Sequence, residues 1–136
     1  MNIHQLPLTP FRTPFFLANP HVQTILPKFI KLPKPNYQRH LHPDRTGTTQ
    51  VAYDFVFANT DNQPNLDKPL AVMFHGLEGS SDSHYAIAFA HQAHRLGYDA
   101  VIVHFRGCGG VDNTSELDYN AGDTAEAVHM FNLLKT

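Results

Sequence analysis

Large apolar residues recur at every second position within residues 50–58, where they alternate with Ala52, Asp54 and Val56. This period is typical of a β-strand that has one strongly apolar face. Residues 37–42 form a second segment of this kind, and turn-forming residues at 43–47 separate the two. The pattern predicts an antiparallel strand pair within residues 37–58. Its apolar face consists of Val51, Tyr53, Phe55 and Phe57.

Two shorter segments, residues 70–74 and 100–105, are apolar without alternation, which is typical of strands covered on both faces. Between them, residues 84–96 carry apolar side chains at helical spacing. Gly97 follows, where glycine is favoured just past a helix end. A strand, a helix and a strand in this order predict a parallel crossover unit. The helix is expected to face the core with Ala86, Phe89, Ala90, Ala93 and Leu96.

Helix signals also lie near both ends of the chain. Asp123 and Glu126 resemble a capping box at the start of a last helix. Asn19 and Pro20 suit the N-cap and the first position of one short helix, which we expect to end at Pro27 after one or two turns. The last helix is expected to continue through Ala127, Val128, Phe131 and Leu134.

The composition fits one globular domain. The chain has 136 residues, of which 42% are hydrophobic and 16% charged, a balance unlike that of a disordered chain. No apolar run approaches the roughly 20 residues of a bilayer span, and the first residues lack the basic and apolar regions of a secretory signal. Cys108 is the only cysteine, so no internal disulfide can form. These features predict a cytoplasmic protein without a membrane span.

Charge is distributed unevenly along the chain. Residues 1–50 hold six Lys or Arg and one acid, whereas residues 51–136 hold four Lys or Arg and eleven acids. A basic arm can bind nucleic acid or anionic lipid, but these six charges are spread among phenylalanines and prolines. We therefore expect residues 1–36 to be a proline-rich basic arm with no nucleic-acid partner.

The segment from His75 to Gly79 is the most informative for function, because it lies where a buried strand meets the start of a helix. Gly76 permits a tight bend and the close approach of a ligand. The N–H of Leu77 would be unpaired and directed at the carboxyl end of the sheet. Such an amide can stabilise the oxyanion that develops in acyl transfer. A strand-to-helix turn that merely needs glycine is the alternative interpretation.

Four motifs, in order along the chain, resemble those of a known family. They are Asn19-Pro-His-Val-Gln-Thr24, His75-Gly-Leu-Glu-Gly-Ser-Ser-Asp-Ser-His-Tyr85, Phe105-Arg-Gly-Cys-Gly-Gly110 and Tyr119-Asn-Ala-Gly-Asp-Thr124. With these motifs the chain resembles the YheT-like branch of the α/β-hydrolase superfamily over residues 19–124. It departs from the family pattern at His104, where asparagine is usual, and at Gly109, where serine is usual.

The resemblance implies an α/β fold, the amino-terminal part of an α/β-hydrolase. In that fold an antiparallel strand pair leads into a parallel βαβ unit, and helices cover both faces of the sheet. Residues 1–136 are then a single incomplete domain, made of the arm (1–36), the strand pair (37–58) and a βαβα portion (69–136).

The implied activity is that of a serine carboxylic-ester hydrolase, esterase-like or lipase-like, which acts on a small ester and needs no cofactor or metal. The resemblance assigns the Leu77 N–H as one donor of the oxyanion hole. The loop that supports this site consists of His75, Gly76, Glu78 and Gly79.

One motif of the superfamily, the Gly-x-Ser-x-Gly nucleophile elbow, does not occur in the sequence. In the superfamily an acid and then a histidine follow this elbow. We therefore assign no catalytic residue to this chain and expect it to be inactive by itself. The sequence has four serines, and none of them lies in the elbow pattern: Ser80, Ser81, Ser83 and Ser115.

The strand order of the family adds an expectation about partners. In that order, residues 70–74 lie between residues 100–105 and a strand that would follow residue 136. Without that strand an apolar edge is left open for pairing. We expect self-association or pairing with a missing carboxy-terminal half. A non-catalytic interaction module, or a truncated remnant, is the alternative to an enzyme.

Other residues offer weaker chemistry. Cys108 with a nearby histidine is an alternative nucleophile, although a small buried loop residue explains it equally well. His91 and His94 lie three apart on a helix, but without a third ligand at a recognisable spacing we interpret them as solvated surface. The same holds for His40 and His42, which alternate on one strand face. Asp123 fits a helix cap better than a catalytic acid, and the sequence has no phosphate-binding loop. The ten histidines leave metal binding as a third hypothesis for the function.

Overall fold

The computed structural model describes residues 10, 12–59, 61, 63–64, 67–120 and 122–135. Residues 1–9 and 11 of the predicted basic arm lie outside the described residues. The chain divides into two compact units, with the boundary between Lys31 and Leu32. One domain over residues 1–136 stays a prediction.

The first unit contains a short 3-10 helix at Phe15–Leu17 and the helix α1 (Pro20–Phe29). As predicted, Asn19 is the N-cap of α1, and its side-chain oxygen accepts a hydrogen bond from the His21 N–H at 2.9 Å. The predicted end at Pro27 is wrong, because α1 continues to Phe29. Pro27 lies in the last turn, where its missing N–H removes only one hydrogen bond of the helix.

The second unit is built on a four-stranded sheet. In chain order its strands and helices are β1 (Gln38–Pro43), β2 (Gln50–Val56), β3 (Leu70–Phe74), α2 (His84–Arg95), β4 (Asp99–Val103) and α3 (Thr124–Leu133). The spatial order of the strands is β1-β2-β4-β3. The pairs β1–β2 and β2–β4 are antiparallel, and β3–β4 is parallel. The predicted strand pair and the crossover unit β3–α2–β4 are therefore confirmed.

Both faces of the central strand β4 are covered. Ile102 packs with Ala86 and Ala90 of α2, whereas Val101 and Val103 pack on the opposite face with Met130 of α3. This arrangement follows from the alternation of side chains along a strand. Helices thus lie on both faces of the sheet, as the resemblance implied.

Both faces of β2 are buried. Val51 and Tyr53 are buried as predicted, but Asp54 on the other face is also buried, at 1% exposure. The face of β2 that carries Asp54 therefore does not face water. Since an ionised carboxylate is costly to bury without partners, Asp54 needs the charged and polar contacts described below.

The predicted core face of α2 needs partial correction, and α3 buries a charged residue. In α2, Ala86, Ala90 and Ala93 are buried, but Leu96 lies past the helix end and is 55% exposed. In α3 the buried residues are Glu126 and Met130, whereas the apolar Val128 and Phe131 are 59% and 43% exposed. The charged Glu126 turns inward because a buried arginine binds it, which sequence periodicity does not reveal. Among the described residues, none of the helices combines the length and apolarity needed to cross a bilayer.

Candidate functional site

A tight turn follows β3 at the carboxyl end of the sheet and contains the residues singled out from the sequence. The Gly79 N–H donates to the Gly76 carbonyl at 2.9 Å, which closes the turn. Glu78 has φ +54°, in the left-handed region that is strained for a side chain other than glycine. The turn is therefore sharply defined by its backbone.

His75 packs beneath this turn with both ring nitrogens engaged. The Phe105 N–H donates to Nε2 at 3.3 Å, so Nδ1 carries the proton and donates to the Gly76 carbonyl at 2.7 Å. The ring is 4% exposed and contacts the rings of Phe105 and Tyr119. His75 is thus a structural ring that holds the turn rather than a free base.

The direction of the Leu77 amide follows from these contacts. The Gly76 carbonyl points inward, where it accepts from both Gly79 and His75. The peptide between Gly76 and Leu77 is trans, so its N–H points opposite to its C=O. The Leu77 N–H therefore points away from the inside of the turn. Within the part of the chain that the structure describes, it has no hydrogen-bond partner.

The two glycines of the turn differ in how crowded their surroundings are. Gly76 does not have a positive φ, and a Cβ there would meet only the Tyr85 hydroxyl, at 4.0 Å. Gly79 is the crowded position, since a Cβ there would lie 2.0 Å from the Tyr85 hydroxyl oxygen. The bend at Gly76 therefore does not depend on a positive φ, and the crowded position is Gly79, against a side chain. The close approach of a ligand to Gly76 stays a prediction.

A cavity of about 700 Å³ lies between this turn and the loop after β4. Glu78 and Gly79 line it on one side and Cys108 on the other, but Leu77 does not line it. Burial raises the pKa of the Cys108 thiol. A raised pKa leaves less thiolate at neutral pH, which is the opposite of what an activated cysteine nucleophile needs.

Ser81, Asp54 and His104 lie together beside the cavity, although no sequence motif predicted this grouping. The Ser81 hydroxyl donates to Asp54 at 2.5 Å, and the Ser81 N–H donates to His104 Nε2 at 3.1 Å. His104 Nδ1 faces the Ala52 carbonyl at 3.0 Å and donates to it. In a catalytic triad the histidine accepts the serine hydroxyl proton and the acid binds the other ring nitrogen. Here the hydroxyl binds the acid directly, so the three residues do not form a triad.

The charge of Asp54 is compensated by Arg39. Both carboxylate oxygens accept from this guanidinium, Oδ1 from Nε and Oδ2 from Nη2, at 2.7 Å each. Burial acts to raise the pKa of Asp54, but the hydrogen bonds from Arg39 and Ser81 outweigh it and lower this pKa. Burial lowers the pKa of His104, which favours the neutral ring. The group is a buried polar cluster that ties β1 and β2 to the loops of the site.

A second buried cluster surrounds Arg106, directly after the end of β4. Its guanidinium donates to Asp44 at 2.7 Å, to Asp123 at 3.2 Å and to Glu126. Burial acts to raise the pKa of Asp44, but hydrogen bonds from Arg106 and from residues 46–49 outweigh it and lower this pKa to about 2. Arg106 therefore anchors the loop after β4 to the turn between β1 and β2 and to the start of α3.

Asp123 is the cap of α3, as predicted, since its side chain accepts from the Glu126 N–H at 3.0 Å. The reciprocal half of the capping box is absent among the contacts described. The Glu126 carboxylate instead accepts from Arg106 and from the Arg45 N–H. Asp123 also accepts from Arg106, so both of its carboxylate oxygens take part in structural hydrogen bonds.

The histidines that the sequence offered as pairs contact other parts of the chain. His91 is half-buried and donates to the Pro33 carbonyl at 2.7 Å, so it is not simply solvated. His40 and His42 contact the rings of Phe55 and Tyr53, and burial lowers the pKa of His42. No group of three or more His, Cys, Asp or Glu that could hold a metal ion occurs among the described residues.

Comparison with known proteins identifies the family. No family model matches the chain. A putative esterase, YheT of Escherichia coli strain K12, is 37% identical over 115 residues, which are 81% of this chain and 32% of that protein. An abhydrolase domain-containing protein of Dictyostelium discoideum is 30% identical over 116 residues, 82% of this chain and 28% of that protein. The chain belongs to the α/β-hydrolase superfamily, in its YheT-like branch.

A solved structure supports the fold of this hydrolase-family chain. An alpha-beta serine hydrolase homologue from Coxiella burnetii matches with a TM-score of 0.54 at 14% identity, over 77% of this chain and 48% of that one. At this identity the likeness concerns the fold alone. The chain spans about a third of the length of the curated relatives it matches.

Proposed function

We propose that this chain is the oxyanion-loop portion of a serine carboxylic-ester hydrolase, esterase-like or lipase-like, that acts on a small ester. In this function the Leu77 N–H donates a hydrogen bond to the acyl oxygen as negative charge develops on it. One such donor stabilises a transition state by about 3 to 4 kcal/mol. His75, Gly76, Glu78 and Gly79 hold the amide in place.

The unpartnered amide of Leu77 is the observation that carries this proposal. It lies at the carboxyl end of β3, where ligands bind in open α/β sheets. The carbonyl of the same peptide is held by two donors, so the amide is fixed before any substrate arrives. Preorganisation of this kind is what makes an oxyanion donor effective. The esterase name of the Escherichia coli relative also supports an ester substrate.

The nucleophile, the acid and the general base are, in this proposal, not among the 136 residues. No serine has the elbow pattern, Ser81 donates its hydroxyl proton to Asp54, and burial raises the pKa of Cys108. This chain by itself should therefore not turn over an ester. Because Cys108 is the only cysteine, we also propose a reducing compartment, the cytoplasm, as its location.

A titration with butylphosphonate, a tetrahedral oxyanion mimic, tests the donor. In the ¹⁵N-labelled chain we expect a saturable shift of the Leu77 amide resonance, and no such shift with butanol, which lacks the oxyanion. The variant Leu77→Ala retains the N–H and should retain the binding, whereas Leu77→Pro removes the donor and should lose it. Binding that leaves the Leu77 amide unchanged would contradict the proposal.

An ester assay tests the assignment of the nucleophile. With p-nitrophenyl butyrate we expect the purified chain to give only the rate of the buffer. Turnover that disappears in Cys108→Ala would identify the thiol as the nucleophile. Turnover that disappears in Ser81→Ala would identify the hydroxyl instead. Either result would overturn the proposal that the nucleophile lies outside this chain.

A second candidate function is association through the edge of β3. This strand pairs with β4, and no strand of the described residues lies on its other side. Its sequence, Leu-Ala-Val-Met-Phe, has no charge or proline to discourage pairing. We propose that the edge pairs with a second copy or with a separate polypeptide that carries the remaining hydrolase strands. Light scattering should then show an oligomer, and a compact monomer that binds no ANS would contradict this candidate.

A further inference from the structure

Tyr85 reaches back from α2 into the turn that carries the Leu77 amide. It is the second residue of α2, and its hydroxyl oxygen accepts from the Gly76 N–H at 3.2 Å. The contact joins residues nine positions apart. The first turn of α2 therefore holds the backbone of the preceding loop.

The crowding at Gly79 shows how closely the hydroxyl fits this turn. A Cβ on Gly79 would lie 2.0 Å from the Tyr85 oxygen and 3.0 Å from both the Gly76 carbonyl oxygen and His75 Cβ. Only a residue without a side chain leaves the hydroxyl in its place. Gly79 and Tyr85 are thus a matched pair, and the glycine makes room for the hydroxyl.

The backbone of Gly76 is consequently held on both sides. Its N–H binds Tyr85, and its carbonyl accepts from Gly79 and His75. Tyr85 anchors the first of the two peptide planes that meet at Gly76, and Gly79 and His75 anchor the second, so the contacts together fix the φ and ψ between the planes. The second plane carries the Leu77 N–H.

We propose that Tyr85 is a positioning residue, whose hydroxyl orients the Leu77 amide through Gly76. This inference rests on the proposed function for its role in ester hydrolysis, but the structural link can be measured without it. Tyr85 acts on the backbone and does not itself donate to the acyl oxygen.

The variant Tyr85→Phe removes the hydroxyl and keeps the ring. Amide hydrogen exchange of the Gly76 N–H should accelerate roughly twofold to tenfold, the range expected for one lost hydrogen bond. The affinity of the Leu77 amide for butylphosphonate should fall, while the melting temperature changes little. The matched control is Tyr98→Phe, in the turn between α2 and β4, which should leave the exchange and the titration unchanged.

A second variant tests the same link from the other side. Gly79→Ala places a methyl group where the Tyr85 hydroxyl lies, so it should expel the hydroxyl and accelerate the Gly76 exchange as Tyr85→Phe does. In the double variant the exchange should be no faster than in Gly79→Ala alone. Additive effects of the two substitutions would overturn the proposed link.

The outcomes separate this inference from the proposed function. If butylphosphonate shifts the Leu77 amide equally in the wild type and in Tyr85→Phe, and Gly76 exchange is unchanged, Tyr85 has no positioning role and the donor assignment stands. If Gly76 exchange accelerates in Tyr85→Phe but butylphosphonate never shifts Leu77, the structural link stands and the ester-hydrolase function falls.

Discussion

A Cβ on Gly109 would lie 2.4 Å from Cδ2 of the His104 ring, far inside the contact distance of two carbon atoms. Gly109 also has φ +66°, which favours glycine. These are the two positions at which the sequence departs from the family pattern, where asparagine and serine are usual. The imidazole fills the space that a serine at 109 would need, so we expect the residues at 104 and 109 to be energetically coupled.

This coupling predicts the effect of restoring the family residues. Gly109→Ser should lower the free energy of unfolding by about 2 to 4 kcal/mol, through overpacking against His104 and the left-handed backbone. In the double variant with His104→Asn, at least about 1 kcal/mol of that loss should return. Urea unfolding of the two single variants and the double variant measures the coupling energy, and strictly additive losses would refute it.

The two glycines of the candidate oxyanion turn should respond differently to alanine. Gly76→Ala should change the free energy of unfolding by less than about 1 kcal/mol, because its φ is not positive and its Cβ would meet nothing closer than 4.0 Å. Gly79→Ala should cost about 1 to 3 kcal/mol, because its Cβ meets backbone and side-chain atoms at 3.0 Å or less. Equal losses in urea unfolding would show that the crowding at Gly79 is relieved easily.

Arg106 should be among the most sensitive charged residues of the second unit. Arg106→Leu leaves buried carboxylates without their counter-charge, and we expect a loss of about 3 to 5 kcal/mol in the free energy of unfolding. The control is Lys34→Ala. It removes a salt bridge to Asp82 in which both side chains are more than 60% exposed, and a bridge of that kind contributes at most about 1 kcal/mol. A loss for Arg106→Leu no larger than that of the control would contradict the structural role.

Asp44 should make the fold sensitive to acid. The pKa of Asp44 is about 2 in the folded chain, against an ordinary value of 3.8. Its ionised carboxylate therefore makes its full contribution to the free energy of unfolding above about pH 4. It is lost as the pH falls from there to 2. The full contribution is about 2 kcal/mol. Urea unfolding as a function of pH should show the difference between the wild type and Asp44→Asn narrowing over this range, and a constant difference would exclude Asp44 as its source.

Cys108 should react slowly with thiol reagents. Burial raises its pKa, so less thiolate is available at pH 8 than in a free thiol, and the thiolate is the reacting form. The rate of modification by DTNB should be below that of glutathione, and unfolding in urea should restore it. A folded-state rate above that of glutathione would reopen the interpretation of Cys108 as a nucleophile.

Much of the fold could be predicted from the sequence because its signals are local. Period-two alternation marked β2, unbroken apolar runs marked β3 and β4, and the Asn19 and Asp123 caps marked helix starts. Each of these signals lies within a few residues of the element it specifies. The misplaced end of α1 came from giving Pro27 more weight than a proline in a last turn has.

The buried polar clusters could not be predicted, because their contacts join distant parts of the chain. Arg106 and Asp44 are 62 residues apart, and Arg39 and Asp54 lie on neighbouring strands. A charged residue in an amphipathic pattern is normally placed on the solvent side. The same limit applies to the crowding at Gly79, since its cause is the hydroxyl of Tyr85, six residues further along the chain.

Asp44, Arg106 and Glu126 come from the turn after β1, the loop after β4 and the helix α3. Their cluster is complete only when all three segments have docked. An assembly that lacks the loop of Arg106 would enclose carboxylates without their counter-charge, at a cost of several kcal/mol. An assembly that lacks Asp44 or Glu126 would leave guanidinium N–H groups of Arg106 without an acceptor. The cluster therefore couples the three dockings into a single cooperative event, and it selects against partly assembled forms of the second unit.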